Sequence, residues 1–118
     1  VEHAEIVLPG TAASGETGWA RDRQQLWNAA ERAERRKDAR VAREYEVALP
    51  HELSAAERLA LTRAFAQTLA DRFGCAVDLA IHAPHREGDT RNHHAHLLAT
   101  TRRVEARGLG AKTTIELK

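Results

Sequence analysis

One helix set between two strands constrains this chain more than any other feature. Ser54-Ala55-Ala56-Glu57 has capping-box spacing, in which a serine hydroxyl and a glutamate three residues later satisfy free amides at a helix start. No proline or glycine interrupts the chain from there to Gly74, a residue suited to a left-handed helix end. A helix over 54–73 must lay apolar residues on a partner, and Leu61, Phe65 and Leu69, at spacing four, are read as its core stripe. On one side, Tyr45, Val47 and Leu49 alternate with Glu44, Glu46 and Ala48. On the other, Val77, Leu79 and Ile81 alternate with Asp78, Ala80 and His82. A long helix bracketed by two-faced strands requires a sheet with helices against it.

The remaining elements fill in that plan. Residues 4–8 read as a strand closed by Pro9-Gly10, and 11–18 as a small, polar loop. Residues 19–38 read as a second helix, with Trp19, Leu26, Ala30 and Ala33 as its stripe. A strand over 95–101, a turn at Gly108-Leu109-Gly110 and a last strand over 113–117 complete the chain. This order predicts an α+β fold, with a largely antiparallel sheet and two helices packed on one face. At 118 residues, one domain over 1–118 is expected. The absence of methionine, the start at Val1 and the stop at Lys118 inside a candidate strand are read as truncation at both ends.

Bulk properties exclude several classes. No apolar run approaches the ~20 residues that span a bilayer, so no membrane insertion is expected, and no signal-peptide pattern opens the chain. The single cysteine, Cys75, cannot form an internal disulfide and is read as a small buried hydrophobe. A net charge of +1 conceals two basic segments. Residues 21–43 hold eight Arg or Lys against four Asp or Glu, and residues 91–118 hold six against two, a bias that points to a polyanion.

The chemistry concentrates in histidines. In Asn92-His93-His94-Ala95-His96-Leu97-Leu98, a strand places His94 and His96 on one face and Ala95 and Leu97 on the other. If the apolar faces of the three strands pack on helices, His82, His94, His96, Glu44 and Glu46 share the open face. Three neutral imidazoles suit a borderline divalent ion and leave positions for water or substrate. A glutamate beside a ligand imidazole can fix its tautomer. His85 and His93 are read as loop or surface residues, as are His3 and His51 near turns or ends. A metal-dependent hydrolase unrelated to DNA is disfavoured, because no aspartate follows His96 at metallo-hydrolase spacing and no cysteine ligand is near.

These segments, with Glu44-Tyr45-Glu46-Val47-Ala48-Leu49-Pro50, Leu79-Ala80-Ile81-His82 and Trp27-Asn28-Ala29-Ala30-Glu31, resemble the MobA/MobL family of plasmid mobilisation relaxases. The likeness is nearest to the TraA conjugal-transfer relaxases and runs along nearly the whole chain. It implies a relaxase-like fold of the histidine-hydrophobe-histidine endonuclease class, which nicks and rejoins one DNA strand at an origin of transfer during conjugation. A tyrosine attacks the phosphodiester in that class, leaving a 5′-phosphotyrosine and a free 3′-OH.

By position, His82, His94 and His96 match the family's metal ligands, with Ala95 at the hydrophobe position and Glu44 and Glu46 on its acidic strand. The resemblance implies manganese or magnesium, with zinc also compatible. The implied partner is single-stranded origin DNA, alongside accessory transfer proteins and a secretion coupling protein, in a bacterial cytoplasm. Arg86, Arg91, Arg102, Arg103 and Arg107 are candidate DNA contacts. The family's nucleophilic tyrosine lies upstream of Val1 by this likeness, and Tyr45, the only tyrosine, is read as a packing residue. The alternative of another class is an origin-binding module that does not cut, with a structural or vestigial histidine site.

Overall fold

In the computed structural model, which describes residues 3–10, 17–34, 41–84 and 93–113, the central helix is α2 (Ala55–Phe73). The Ser54 hydroxyl accepts the Glu57 amide at 3.1 Å, and the Glu57 carboxylate accepts the Ser54 amide at 2.8 Å. Gly74 closes the helix at φ 67°, where a side chain would be strained and would also collide with Arg103. The capping residues thus set both ends where the sequence placed them.

Strands β1 (His3–Val7), β2 (Ala42–Leu49), β3 (Val77–His82) and β4 (His93–Thr100) form one sheet in the order β1-β3-β4-β2. Every pairing is antiparallel. The register lines up Val7 with Val77, Val77 with Ala99, Leu79 with Leu97 and Tyr45 with Leu97. That face packs on α2 through Ala66, Leu69 and Ala70, and forms the main core with Leu49, Cys75, Ile81 and Ala95. The α+β class and the antiparallel sheet agree with the sequence reading.

Four expectations are corrected. The buried side of α2 is Arg58, Thr62, Ala66, Leu69 and Ala70, whereas Leu61 and Phe65 are 47% and 40% exposed. Small residues at Thr62, Ala66 and Ala70 let the helix lie close to the sheet, and this turns Leu61 and Phe65 out over the edge strand β2. There Phe65 meets Tyr45 edge-on, with ring centroids 6.1 Å apart.

The first helical stretch is divided. A 3₁₀ turn (Gly18–Arg21) precedes α1 (Arg23–Ala33), because the Asp22 carboxylate accepts the Gln25 amide at 3.1 Å and caps a new helix. Leu26 and Ala30 are buried as expected, while Trp19 and Ala33 are only partly so. Residues 35–38 of the expected helix lie outside the described residues.

The two helices also lie on opposite faces of the sheet, not on one. Ile6 pairs with Asp78 on the face away from α2. Ile6 joins Leu8, Ala20, Leu26, Ala76 and Val104 in a second core. The Asp78 carboxylate accepts Arg23 Nε and Nη2, each at 2.8 Å, and the Trp27 indole N–H at 2.9 Å. Apolar side chains on both faces of β1, plus a buried carboxylate on β3, require cover on both sides.

The Gly108-Leu109-Gly110 segment is a strand, not a turn. It begins β6 (Gly108–Lys112), paired with β5 (Arg102–Glu105) in a hairpin that turns at Ala106 and Arg107. Gly108 has φ 135°, a conformation that favours glycine, so the residue that looks like a turn marker starts the strand. The strand expected over 113–117 lies outside the described residues beyond Thr113. No described helix is long and apolar enough to cross a membrane.

Burial pushes the Cys75 thiol up to about 11, and the residue is fully covered. A thiol reagent at pH ~8 is therefore expected to leave the folded protein unlabelled and to label it in urea; labelling of the folded protein at the denatured rate would contradict this burial. Asp78→Ala is expected to cost roughly 1–3 kcal/mol in urea unfolding, and Asp78→Asn less, since an acceptor for Trp27 remains. Equal stability of wild type and Asp78→Ala would show that the carboxylate does not anchor α1.

Candidate metal centre

The second face of the sheet is covered by α1 at its Asp78 end and is open at its histidine end. β4 is the reason the histidines meet, since it is hydrogen-bonded on both sides. On one side His82 pairs with His94 and Ala80 with His96; on the other Glu46 pairs with His96 and Glu44 with Leu98. Directly opposed residues share a face. Pairing therefore brings His82, His94, His96, Glu44 and Glu46 together, as the alternation of the three segments predicts.

The three imidazoles form a triangle. Ring centroids are 5.2 Å apart for His82 and His94, 4.9 Å for His82 and His96, and 5.3 Å for His94 and His96. Imidazoles whose nitrogens lie roughly 2.0–2.1 Å from one ion, at near-tetrahedral angles, have centroids roughly 5 Å apart, so the triangle has the size a shared ion requires. Nitrogen atoms of His94 and His96 and a carboxylate oxygen of Glu46 lie within 4.8 Å of one another. His82 adjoins that trio through its ring contacts.

Both nitrogens of His96 face acids. Nε2 is 3.1 Å from a Glu46 oxygen and Nδ1 is 3.9 Å from a Glu44 oxygen. Whichever nitrogen holds an ion, the other faces a carboxylate that can orient the ring. Loss of hydration, followed by repulsion from His96 and His94, holds the His82 ring below the usual histidine range. The neutral imidazole is the form that coordinates a metal.

The other candidates fall elsewhere. His93 turns toward the α2 side, opposite Leu49, half-buried and with its Nδ1 unpartnered among the described residues. His85, Arg86 and Arg91 lie outside the described residues. Arg102 is bound to the Glu34 carboxylate at 2.6 Å and to the Gly110 carbonyl at 3.2 Å, tying β5 and β6 to the end of α1. Hydrogen bonds to Glu34 hold that carboxylate below its usual range, with Arg102 the main cause. Arg103 lies against Gly74, and Arg107 projects from the hairpin turn. These three arginines follow Thr100, itself roughly 13 Å along β4 from His96 at about 3.3 Å per residue, so they are not clustered around the histidines.

Tyr45 is on the face opposite the histidines, partly buried against Phe65, and loss of hydration raises its hydroxyl above the usual range. Its packing role is as read from the sequence. The residue that sequence reasoning left without a role is Asp78, which docks α1 beside the site. A lone carboxylate in the apolar run Ala76-Val77-Asp78-Leu79 was its signal.

Residues 1–117 match the model of the MobA/MobL family. The mobilization protein MobL of Acidithiobacillus ferridurans is 36% identical over 138 residues, covering 99% of this chain and 35% of that protein. The conjugal transfer protein TraA of Rhizobium radiobacter is 34% identical over 116 residues, covering 93% of this chain and 10% of that protein. A solved structure described as the molecular basis of vancomycin resistance transfer in Staphylococcus aureus is 33% identical with TM-score 0.74, covering 99% of this chain and 54% of that one. The chain therefore spans between a tenth and about half of the length of these relatives.

The geometry generates a direct measurement. In calorimetric titration with manganese, His94→Ala and His96→Ala are each expected to weaken binding at least about 100-fold, and Glu46→Gln about 10–100-fold. Affinity should fall as pH is lowered from about 8 to 5, because protons compete for the ring nitrogens. Undiminished affinity in both alanine variants would remove the ion from this face.

Proposed function

Because the chain belongs to the MobA/MobL family, we propose that it is the ion-holding part of a relaxase, an enzyme that nicks and rejoins single-stranded DNA at a plasmid origin of transfer. The observation that carries this reading is the triangle of His82, His94 and His96 on the uncovered end of a rigid antiparallel sheet. His82, His94 and His96 hold a divalent ion, manganese or magnesium, and zinc fits the same nitrogens. When bound, the ion supplies Lewis-acid neutralisation of charge on the scissile phosphate.

The residues of this chain prepare that site. Strand pairing across β3 and β4 fixes the spacing of the imidazoles, so little rearrangement is needed on binding. Glu46 orients His96 and adds one negative charge beside the ion, and Glu44 guards the other nitrogen. Asp78, through Arg23 and Trp27, keeps α1 on the same face without covering the histidines.

The nucleophile is a tyrosine hydroxyl from outside residues 1–118. Tyr45 is excluded by its face. Attack of that hydroxyl on the phosphodiester forms a bond from the tyrosine oxygen to phosphorus and releases the 3′-hydroxyl; the reverse attack rejoins the strand. Arg86 and Arg91 serve as DNA contacts in this reading, whereas Arg102 serves the fold through Glu34. The setting is a bacterial cytoplasm, with accessory transfer and coupling proteins as further partners.

A polypeptide in which a tyrosine-bearing segment precedes Val1 tests this on an origin oligonucleotide with manganese. A covalent protein–DNA adduct is expected, and its yield should drop at least about 100-fold in His94→Ala or His96→Ala. DNA binding with no adduct under those conditions would replace the enzyme by a non-cleaving origin-binding module.

A further inference from the structure

A polar hollow lies away from the histidines, on the outer side of α1. A cleft of about 330 Å³ opens between α1 and the turn of the β5–β6 hairpin, and Trp19, Gln25, Asn28, Arg32 and Arg107 line it. Its frame is held in place: the Trp19 indole N–H donates to the Glu105 carbonyl at 2.8 Å, joining the 3₁₀ turn to the hairpin. Lys112 and Arg102 meet Glu34 at the end of α1, which fixes the helix to the same hairpin.

The charges in the cleft are unbalanced. Arg23, Arg63 and Arg102 each have a carboxylate partner. Arg32 and Arg107 are exposed and have no ion-pair partner among the described residues. The Glu105 carboxylate, the nearest acid in sequence to Arg107, lies against Gly110 and does not line the cleft. Two guanidiniums with no acidic partner among the described residues, two side-chain amides, of which that of Gln25 also donates to Asp22, and a partly exposed indole therefore surround one hollow. Guanidiniums grip phosphate oxygens in a fork, amides pair with base edges, and an aromatic ring stacks on any base. The volume is at the lower end of the ~300–1,000 Å³ of small-ligand sites, which suits one nucleotide and not a duplex.

We propose that this cleft takes one nucleotide of single-stranded DNA, with its phosphate between Arg32 and Arg107 and its base against Trp19, Asn28 and Gln25. This rests on the reading of single-stranded DNA as the substrate. The cleft lies beyond the Thr100 end of β4 and across α1 from the histidines, so the held nucleotide is not the one at the ion. It fixes the strand at a set offset from the scissile phosphate and so acts in positioning.

The test uses the 118-residue chain with a fluorescently labelled, mixed-sequence single-stranded oligonucleotide. Anisotropy is followed over a salt series in a metal chelator, so that the histidine site makes no contribution. Arg32→Ala and Arg107→Ala should each weaken binding several-fold and flatten the slope of log affinity against log salt by about 0.7. Asn28→Ala should weaken binding with the slope unchanged, as expected for a base contact. All three positions are exposed, so the fold should persist, which circular dichroism checks. Wild-type affinity and slope in Arg32→Ala/Arg107→Ala would overturn the cleft while leaving DNA as the substrate. No oligonucleotide binding by the wild type would overturn the substrate reading and the cleft together.

Discussion

The pairing of β4 with strands on both of its sides is the constraint on which the rest depends. A strand with two neighbours cannot slip without breaking two ladders, and a slip of one residue would send His94 and His96 into the α2 core and Ala95 and Leu97 into water. The register is held by burial: Ala95, Leu97 and Ala99 are fully covered, and each faces an apolar residue of β3. The three-histidine triangle is thus a by-product of core packing, with its spacing set by hydrogen-bond geometry and not by contacts among the rings.

A second constraint decides how much of that face stays open. Asp78 is nearly buried and needs donors, which Arg23 and Trp27 provide from one side of α1. That docking covers one end of the face with a helix and leaves the other end to the histidines and glutamates. The result divides one surface into a structural half and an open, polar half. Membership of a mobilisation family accords with this arrangement, and the ion, the strand and the nucleophile are the parts proposed to complete it.

Different residues were legible for different reasons. Both ends of α2 could be read because a capping box and a C-terminal glycine act through contacts a few residues apart. The alternation of strands β2, β3 and β4 was equally local, so the face shared by His82, His94, His96, Glu44 and Glu46 followed from period two. Of the α2 stripe Leu69 is buried and Leu61 and Phe65 are not, because spacing four selects large residues, while close packing on the sheet favoured Ala66 and Ala70. The β5–β6 hairpin was missed for a related reason, since Gly108 and Gly110 look like turn residues until strand pairing gives them a role.

The sequence by itself determined the class of fold, the ends of the central helix, the face on which each strand residue lies and the chemical nature of the candidate ligands. These depend on short-range periodicity and on side-chain chemistry. Only the tertiary structure decided that α1 crosses to the histidine face, that Arg102 is bound by Glu34 and that the imidazole rings lie about 5 Å apart. Those facts arise between residues dozens of positions apart, where burial and pairing, not local pattern, select the partner.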